Sequence, residues 1–133
     1  MPLSEHTTEI RVRYCETDAM GYLHHGEYAN YFEVARTELL RQQGGCYRTL
    51  EERGYFLVVA ELQTKFRRPA RYDDVLCVST RSAEVSAVKL VHEYRVTRDG
   101  ELLTEGQTTL ACVDRDGRIQ RMPDEIVTLA RGG

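Results

Sequence analysis

Long apolar runs and an excess of basic charge are both missing from this sequence. No segment approaches the run of about 18 apolar residues that a membrane-spanning helix needs, and the polar start MPLSEHTTE lacks the apolar core of a signal peptide. The formal net charge is −3, with both signs mixed along the chain, whereas nucleic-acid-binding proteins carry a dense basic face. We therefore expect a soluble cytoplasmic protein that neither crosses a membrane nor binds nucleic acid.

Paired metal-ligating cysteines, repeats, low-complexity tracts and glycine-rich phosphate loops are missing as well. The cysteines stand alone, without the CxxC or CxxH spacing of zinc sites, and no signal sequence directs them to a compartment where disulfides form. They are Cys15, Cys46, Cys77 and Cys112. We expect free thiols, no bound metal and no cofactor.

Size and hydrophobic periodicity predict a single domain over residues 1–133 built around one long helix. At 133 residues, 41% apolar and 29% charged, the chain has no room for a second core. From Thr8 to Tyr14, uncharged and charged residues alternate with the period of a strand that buries one face. A helix of about sixteen residues follows and ends at Gly44-Gly45. Its predicted apolar stripe is Tyr28, Tyr31, Phe32, Ala35 and Leu39.

Four strand-like runs and a short helix make up the rest of the chain. The strands are predicted at residues 57–67, 75–85, 88–97 and 102–114, and the helix at 123–131, with Pro123 in its first position. Turn dipeptides such as Asp99-Gly100 favour antiparallel pairing of consecutive strands. We therefore expect an α+β fold in which a curved, five-stranded antiparallel sheet wraps around the long helix. Uncovered edges or faces of such a sheet favour self-association.

The stretch ETDAMGYLHHGEYANYFE, residues 16–33, places a carboxylate and two histidines directly before the long helix. The N-terminus of a helix has free N–H groups and partial positive charge, so it can hold a developing oxyanion. Asp18, as base or nucleophile, and this helix start could act on an acyl carbonyl held between them. Each of these residues, taken singly, also has a non-catalytic explanation. Asp18 can be a turn or cap residue, and the His24-His25 pair can be polar surface residues or cap the helix. Gly21 can be present only because the turn needs its backbone conformation.

Two blocks of the sequence resemble a known family. VRYCETDAMGYLHHGEYANYFEVARTELLR, residues 12–41, resembles the signature of the 4-hydroxybenzoyl-CoA thioesterase family of hotdog-fold proteins. The nearest branch is the short acyl-CoA thioesterases associated with the Tol-Pal system. FRRPARYDDVLCVST, residues 66–80, is similar to that family's second recurrent block. The resemblance thus runs over nearly the whole chain in the expected order.

The resemblance implies a hotdog fold, sheets paired into homodimers or homotetramers (dimers of dimers), and active sites at subunit interfaces. It also implies an acyl-CoA substrate. Coenzyme A is then part of the substrate, and no separate cofactor is expected. The implied catalytic residues are Asp18, His25 and Tyr14, with the helix N-terminus at Gly26, Glu27 and Tyr28 as the oxyanion site. The pocket residues expected beside them are Tyr22, His24 and Tyr31. Candidates for the coenzyme A phosphates are Arg67, Arg68, Arg71 and Lys89, although each also fits a solvated charge on a strand.

The sequence departs from its relatives at two places in the first block. Tyr22 and Leu23 stand where small aliphatic residues are usual, and Gly26-Glu27 stands where a pair such as Ser-Asn is usual. These departures leave the acyl group open between short aliphatic, aromatic and dihydroxynaphthoyl-type esters. Acyl carrier protein also remains open as the thiol carrier. Besides an acyl-CoA thioesterase, two alternatives stay open: a hotdog dehydratase or hydratase, and a non-enzymatic acyl-thioester binding subunit.

Overall fold

The computed structural model describes residues 4–132, and its first strand begins and ends three residues earlier than the sequence predicts. Strand β1 covers Glu5–Arg11 and alternates between exposed and half-buried residues. The backbone of Val12 then pairs with the loop at Asp73 and Asp74, and a 3-10 turn covers Tyr14–Glu16. Because the strand ends before it, Tyr14 does not share the inward face and is 76% exposed.

The long helix α1 covers Glu27–Gln42, as predicted, and Gly44 terminates it with a φ of +84°. Its predicted apolar stripe is buried against the sheet. The core around it draws on the residue after the first strand, the helix and the middle of the sheet: Val12, Tyr28, Tyr31, Phe32, Ala35, Leu76, Val78, Tyr94, Val96 and Leu103. No helix within residues 4–132 is long and apolar enough to cross a membrane.

The remaining strands pair antiparallel in the order β1-β3-β4-β5-β2. Strand β2 covers Phe56–Phe66 and β3 covers Val75–Val85, close to the predicted bounds. Strand β4, Leu90–Arg98, starts two residues late because Ser86 and Lys89 close a hairpin turn before it. Strand β5 covers Glu101–Val113. The turn between β4 and β5 holds Asp99 and Gly100 at positive φ, as their sequence indicates.

Two short elements escape the sequence analysis. Helix α2, Tyr47–Glu52, buries only Leu50, and strand β6, Ile119–Gln120, adds a two-residue sixth strand against β5. Neither element is long enough to show a hydrophobic period, so neither is predicted from the sequence. With β6 the sheet has six strands rather than the five expected. Helix α3 covers Asp124–Ala130. Pro123 lies just before its first residue rather than in it.

Strand β2 forms one edge of the sheet and leaves apolar side chains in solvent. Val58, Val59, Leu62 and Phe66 are each between 40% and 55% exposed. An eleven-residue edge strand also presents a row of backbone groups without a neighbouring strand. Such an edge favours pairing with another chain.

Close contact between α1 and β5 fixes the distance between helix and sheet. The ring of Phe32 is fully buried and stacks on Tyr94, with centroids 4.3 Å apart. The ring also leaves no space at Gly106, the β5 residue paired with Tyr94, where an added Cβ would lie 2.4 Å from two ring carbons. Only glycine lets the strand come this close to the helix.

We expect Gly106→Ala to lower the free energy of unfolding by about 2 to 3 kcal/mol, the usual cost of overpacking a core. Gln107→Ala, on the same strand, is the matched control and should change it by less than about 1 kcal/mol. Denaturant unfolding measures both. In a Phe32→Leu background the Gly106→Ala cost should shrink, because the colliding ring is gone. An equal cost in both backgrounds would contradict this contact.

Candidate active site

Asp18 is held by the turn that follows it through one of its two carboxylate oxygens. Its Oδ1 accepts hydrogen bonds from the N–H groups of Met20, at 2.9 Å, and Tyr22, at 3.1 Å. Its own N–H donates to the Tyr22 carbonyl, at 2.8 Å, and Gly21 completes the turn with a φ of +78°. Within residues 4–132 no hydrogen bond involves Oδ2, so this oxygen is available for chemistry.

A cavity of about 290 Å³ lies beside this turn. Its wall combines residues of the loop, the start of α1 and the segment after β2, and Tyr28 and Phe66 meet edge to face in it, with centroids 5.3 Å apart. The residues predicted for the site that line it are Asp18, Tyr22, His25, Tyr28, Arg67 and Arg68, joined by Leu23, Phe66 and Pro69. A carboxylate with one oxygen fixed and one available can take a proton from water or attack a carbonyl here.

The arginines predicted for coenzyme A flank the same cavity. Arg67 pairs with Glu105, at 2.7 Å, and Arg68 lies 3.7 Å from Glu101; both side chains are at least half exposed. The guanidinium of Arg71 lies over the Tyr22 ring, 4.8 Å from its centroid. Tyr22 lines the cavity and Arg71 does not. The contact therefore places a third positive charge next to the cavity.

A further arginine, which the sequence analysis did not single out, fixes the segment that carries this wall. Arg98 donates to Asp74 Oδ2, at 2.8 Å, and to the Pro69 carbonyl, at 3.3 Å. The same carboxylate accepts the Arg71 N–H, at 2.8 Å. Burial alone would raise the pKa of Asp74, but these hydrogen bonds outweigh it and the pKa lies below its ordinary value. The ion pair therefore holds the loop between β2 and β3 against the sheet.

Seven of the thirteen predicted site residues do not line the cavity: Tyr14, His24, Gly26, Glu27, Tyr31, Arg71 and Lys89. The exposed ring of Tyr14 packs edge-on against Tyr72, with centroids 5.6 Å apart. Tyr31 is buried in the core and points its hydroxyl toward the loop. Lys89 lies in the turn between β3 and β4 and pairs with Glu84, at 3.4 Å. The burial of Tyr31 agrees with its place in the predicted apolar stripe of α1. The positions of Tyr14 and Lys89 depend on where β1 ends and β4 begins, which the spacing of residues does not give.

At the helix start, two of the predicted oxyanion donors already have acceptors. The N–H of Gly26 donates to His24 Nδ1, at 2.9 Å, and the N–H of Glu27 donates to the His24 carbonyl, at 2.9 Å. The Glu27 carboxylate accepts a bond from Asn30, at 3.2 Å. Of the three predicted residues, only Tyr28 lines the cavity, so it is the donor best placed for an oxyanion.

A buried carboxylate two residues before Asp18 ties the loop to the helix. Glu16 is 6% exposed, and its Oε1 accepts bonds from the Arg13 N–H, at 2.8 Å, and the Tyr31 hydroxyl, at 2.7 Å. Its carbonyl accepts the His24 N–H, at 2.8 Å. Glu16 is not among the residues predicted for the site, although its three-residue spacing from Arg13 is that of a capping pair. Glu16 thus fixes both ends of the segment that carries Asp18.

The charges around Glu16 follow from these contacts. Burial alone would raise the pKa of the Glu16 carboxyl, but the bonds from Arg13 and Tyr31 outweigh it and lower the pKa. Burial, and then the bond to Glu16, raise the pKa of the Tyr31 hydroxyl. The pair is therefore a carboxylate and a neutral phenol at neutral pH.

Metal-binding geometry is not found in the part of the chain that the structure describes. Residues 4–132 contain no group of three or more His, Cys, Asp or Glu side chains that could hold a metal ion. The cysteines are free thiols, of which Cys15 and Cys46 are exposed, Cys77 is half-buried and Cys112 is buried.

Comparison with known proteins covers nearly the whole chain. The model of the thioesterase-like superfamily matches residues 12–128. The chain belongs to this superfamily. One relative of this thioesterase chain is the acyl-CoA thioesterase YbgC of Haemophilus influenzae, which is 38% identical over 106 residues, 79% of this chain and 78% of that protein. The resemblance in the two sequence blocks is confirmed.

Solved structures show the same fold. The DHNA-CoA thioesterase of Staphylococcus aureus is 34% identical, with a TM-score of 0.86 over 88% of this chain and 80% of that one. A hypothetical protein, TT1821 of Thermus thermophilus, is 45% identical, with a TM-score of 0.89 over 93% and 95% of the two chains. The expected hotdog fold and the expected enzyme class, a thioesterase, are confirmed. The comparisons favour this class over a dehydratase or a non-enzymatic binding subunit.

The contacts of Glu16 give the thioesterase a pH-dependent part of its stability. Because the folded-state pKa of Glu16 is lowered, its stabilisation is complete above the ordinary glutamate pKa and is lost as the pH falls through the folded-state value. We expect the free energy of unfolding to fall more steeply on acidification in the wild type than in Glu16→Gln. Glu9→Gln, an exposed carboxylate of β1, should follow the wild-type curve. Parallel curves for Glu16→Gln and the wild type would refute the assignment.

Proposed function

We propose that this thioesterase hydrolyses an acyl-CoA ester to the free acid and coenzyme A, with Asp18 as the catalytic carboxylate. The observation that carries the proposal is the divided carboxylate: Oδ1 is fixed by two N–H groups, while Oδ2 is left for chemistry in a cavity that His25 also lines. The relative in Haemophilus influenzae, named an acyl-CoA thioesterase, supports the substrate class.

The proposed step transfers the acyl group to water. Either Asp18 takes a proton from water as the water attacks the thioester carbonyl, or its carboxylate attacks that carbon and water then cleaves the mixed anhydride. In both routes the carbon–sulfur bond breaks, the thiolate leaves and takes up a proton, and the acid is released. The negative charge that develops on the carbonyl oxygen is stabilised by the start of α1 at Tyr28, with His25 as a hydrogen-bonding partner.

The walls of the cavity suit a compact acyl group. Tyr22, Tyr28 and Phe66 give it aromatic sides, and about 290 Å³ is close to the lower end of ligand pockets. Short aliphatic and aromatic acyl groups both fit this description. Arg67 and Arg68 line the cavity and Arg71 lies beside it on Tyr22. These arginines are our candidates for binding the coenzyme A phosphates, because a guanidinium group can bind two phosphate oxygens at once.

The exposed edge of β2 supports assembly into homodimers. Two copies that pair their β2 strands would cover Val58, Val59 and Leu62 and would satisfy the backbone groups of both edges. Phe66, the last residue of β2, lines the cavity, so the partner subunit would border the site. Two such dimers would give the homotetramer that the family resemblance also allows.

Asp18→Asn is the direct test of the catalytic role. The Asn side chain can still accept both turn hydrogen bonds through its amide oxygen, while the charge of the carboxylate is removed. We expect kcat for thiol release from acyl-CoA to fall by about 10² to 10⁴-fold, as when a positioned base or nucleophile is lost, with little change in melting temperature.

His25→Ala is the comparison variant and should cost less turnover than Asp18→Asn. A loss of less than about fivefold in Asp18→Asn would remove Asp18 from its role, since losing a catalytic base costs far more. If His25→Ala abolishes turnover while Asp18→Asn does not, the two roles are reversed.

Leu62→Lys tests the dimer. A charge in the middle of the β2 edge would be buried by pairing, which is unfavourable without a partner charge, so we expect this variant to be a monomer by light scattering. Val88→Lys is the control: Val88 is 65% exposed in the turn before β4, and the variant should keep the wild-type mass. A monomeric wild type, or an unchanged mass in Leu62→Lys, would contradict β2 pairing.

A further inference from the structure

The imidazole rings of His24 and His25 are stacked on each other. Their centroids lie 4.1 Å apart and their planes are inclined by 26°. Only His25 lines the cavity; His24 lies outside it, and both side chains are exposed. Holding an exposed side chain in one rotamer costs conformational entropy, so this arrangement needs an anchor.

The anchor is the start of α1. The Gly26 N–H donates to His24 Nδ1, at 2.9 Å, so this nitrogen acts as an acceptor and the ring is held in one orientation. The backbone of His24 is bound on both sides, since its N–H donates to the Glu16 carbonyl, at 2.8 Å, and its carbonyl accepts the Glu27 N–H, at 2.9 Å. Both the ring and the backbone of His24 are therefore fixed, whereas no comparable bond holds His25 in residues 4–132.

The residue at position 26 fits the same arrangement. Gly26 has a φ of −67° and a ψ of −23°, which any residue adopts, so its backbone does not require glycine. A Cβ at this position would, however, lie 3.2 Å from His24 Nδ1 and 3.4 Å from Cε1. Because Gly26 has no side chain, the His24 ring can lie close against its backbone. This also gives a physical reason for Gly26 in the Gly26-Glu27 pair, where the sequence departs from its relatives.

We propose that His24 is a positioning residue, which sets the plane of the His25 imidazole at the cavity wall and does not itself contact the substrate. The inference rests on the proposed thioesterase site. A group held in its working orientation before the substrate arrives needs no reorganisation during the reaction. The chain of contacts runs from the helix N-terminus through the His24 ring to the His25 ring.

Two variants separate the ring of His24 from its hydrogen bond. His24→Asn keeps an acceptor that can bind the N–H two residues later but has no flat ring to stack. His24→Phe keeps the ring and loses the acceptor. We expect His24→Asn to lower kcat about tenfold with KM changed less than threefold, as for a misplaced catalytic group. His24→Phe keeps the stacking surface but loses the bond that anchors the ring, so we expect a smaller loss of kcat than in His24→Asn, about threefold.

A readout without substrate keeps this test separate from the proposed activity. In the NMR spectrum, the ring protons of His25 should be shifted upfield by the neighbouring ring in the wild type, and by a smaller amount in His24→Phe, whose ring is not anchored. They should move to ordinary values in His24→Asn. If the wild type cleaves no thioester, the proposed function fails, while the spectra still decide whether His24 orients His25.

Two outcomes would overturn the proposal. One is an equal loss of kcat in His24→Asn and His24→Phe, which would show that the hydrogen bond rather than the ring matters. The other is an unchanged His25 spectrum in His24→Asn, which would show that His25 holds its orientation without its neighbour. Melting temperatures of both variants within a few degrees of the wild type ensure that the comparison reports on the site rather than on folding.

Discussion

The hydrogen bonds of the buried Glu16 decide where the loop between β1 and α1 lies. Tyr31 contributes its hydroxyl from the helix, Arg13 its N–H from the end of the strand, and His24 its N–H from the far side of the loop. A buried carboxylate is costly unless its acceptor sites are filled, and Tyr31 and Arg13 fill those of Glu16. The His24 N–H binds the backbone carbonyl of the same residue, so the three partners together leave the loop little freedom. Asp18 and His25 take their places at the cavity within this frame.

The rest of the fold holds that frame at a fixed distance from the sheet. Phe32 packs on Tyr94 and on the bare backbone of Gly106, which are paired residues of β4 and β5, and this sets the height of α1 above these strands. The ion pair of Arg98 with Asp74 holds the opposite wall. The cavity is therefore bounded by two separately fixed segments, as a site built for one orientation of substrate requires.

The features predicted from sequence are those that depend on local pattern. The stripe of α1, the long strands and the turn at Asp99-Gly100 follow from periodicity and backbone preference. Asp18 and His25 were predicted together because a short loop and a helix start keep them close in space as well as in sequence. The role of Glu16 depends on Tyr31, fifteen residues later. The placement of Lys89 depends on which end of the sheet its turn occupies. Neither feature leaves a periodic pattern in the sequence from which it could be predicted.

The central claim is that this protein hydrolyses acyl-CoA esters in the cavity beside Asp18. The most direct test is to measure thiol release by the wild-type protein from a panel of aliphatic and aromatic acyl-CoA esters. We expect turnover of at least one ester, with compact acyl groups ahead of long chains because the cavity is about 290 Å³. No thiol release from any ester, by a folded protein that still binds them, would contradict the account.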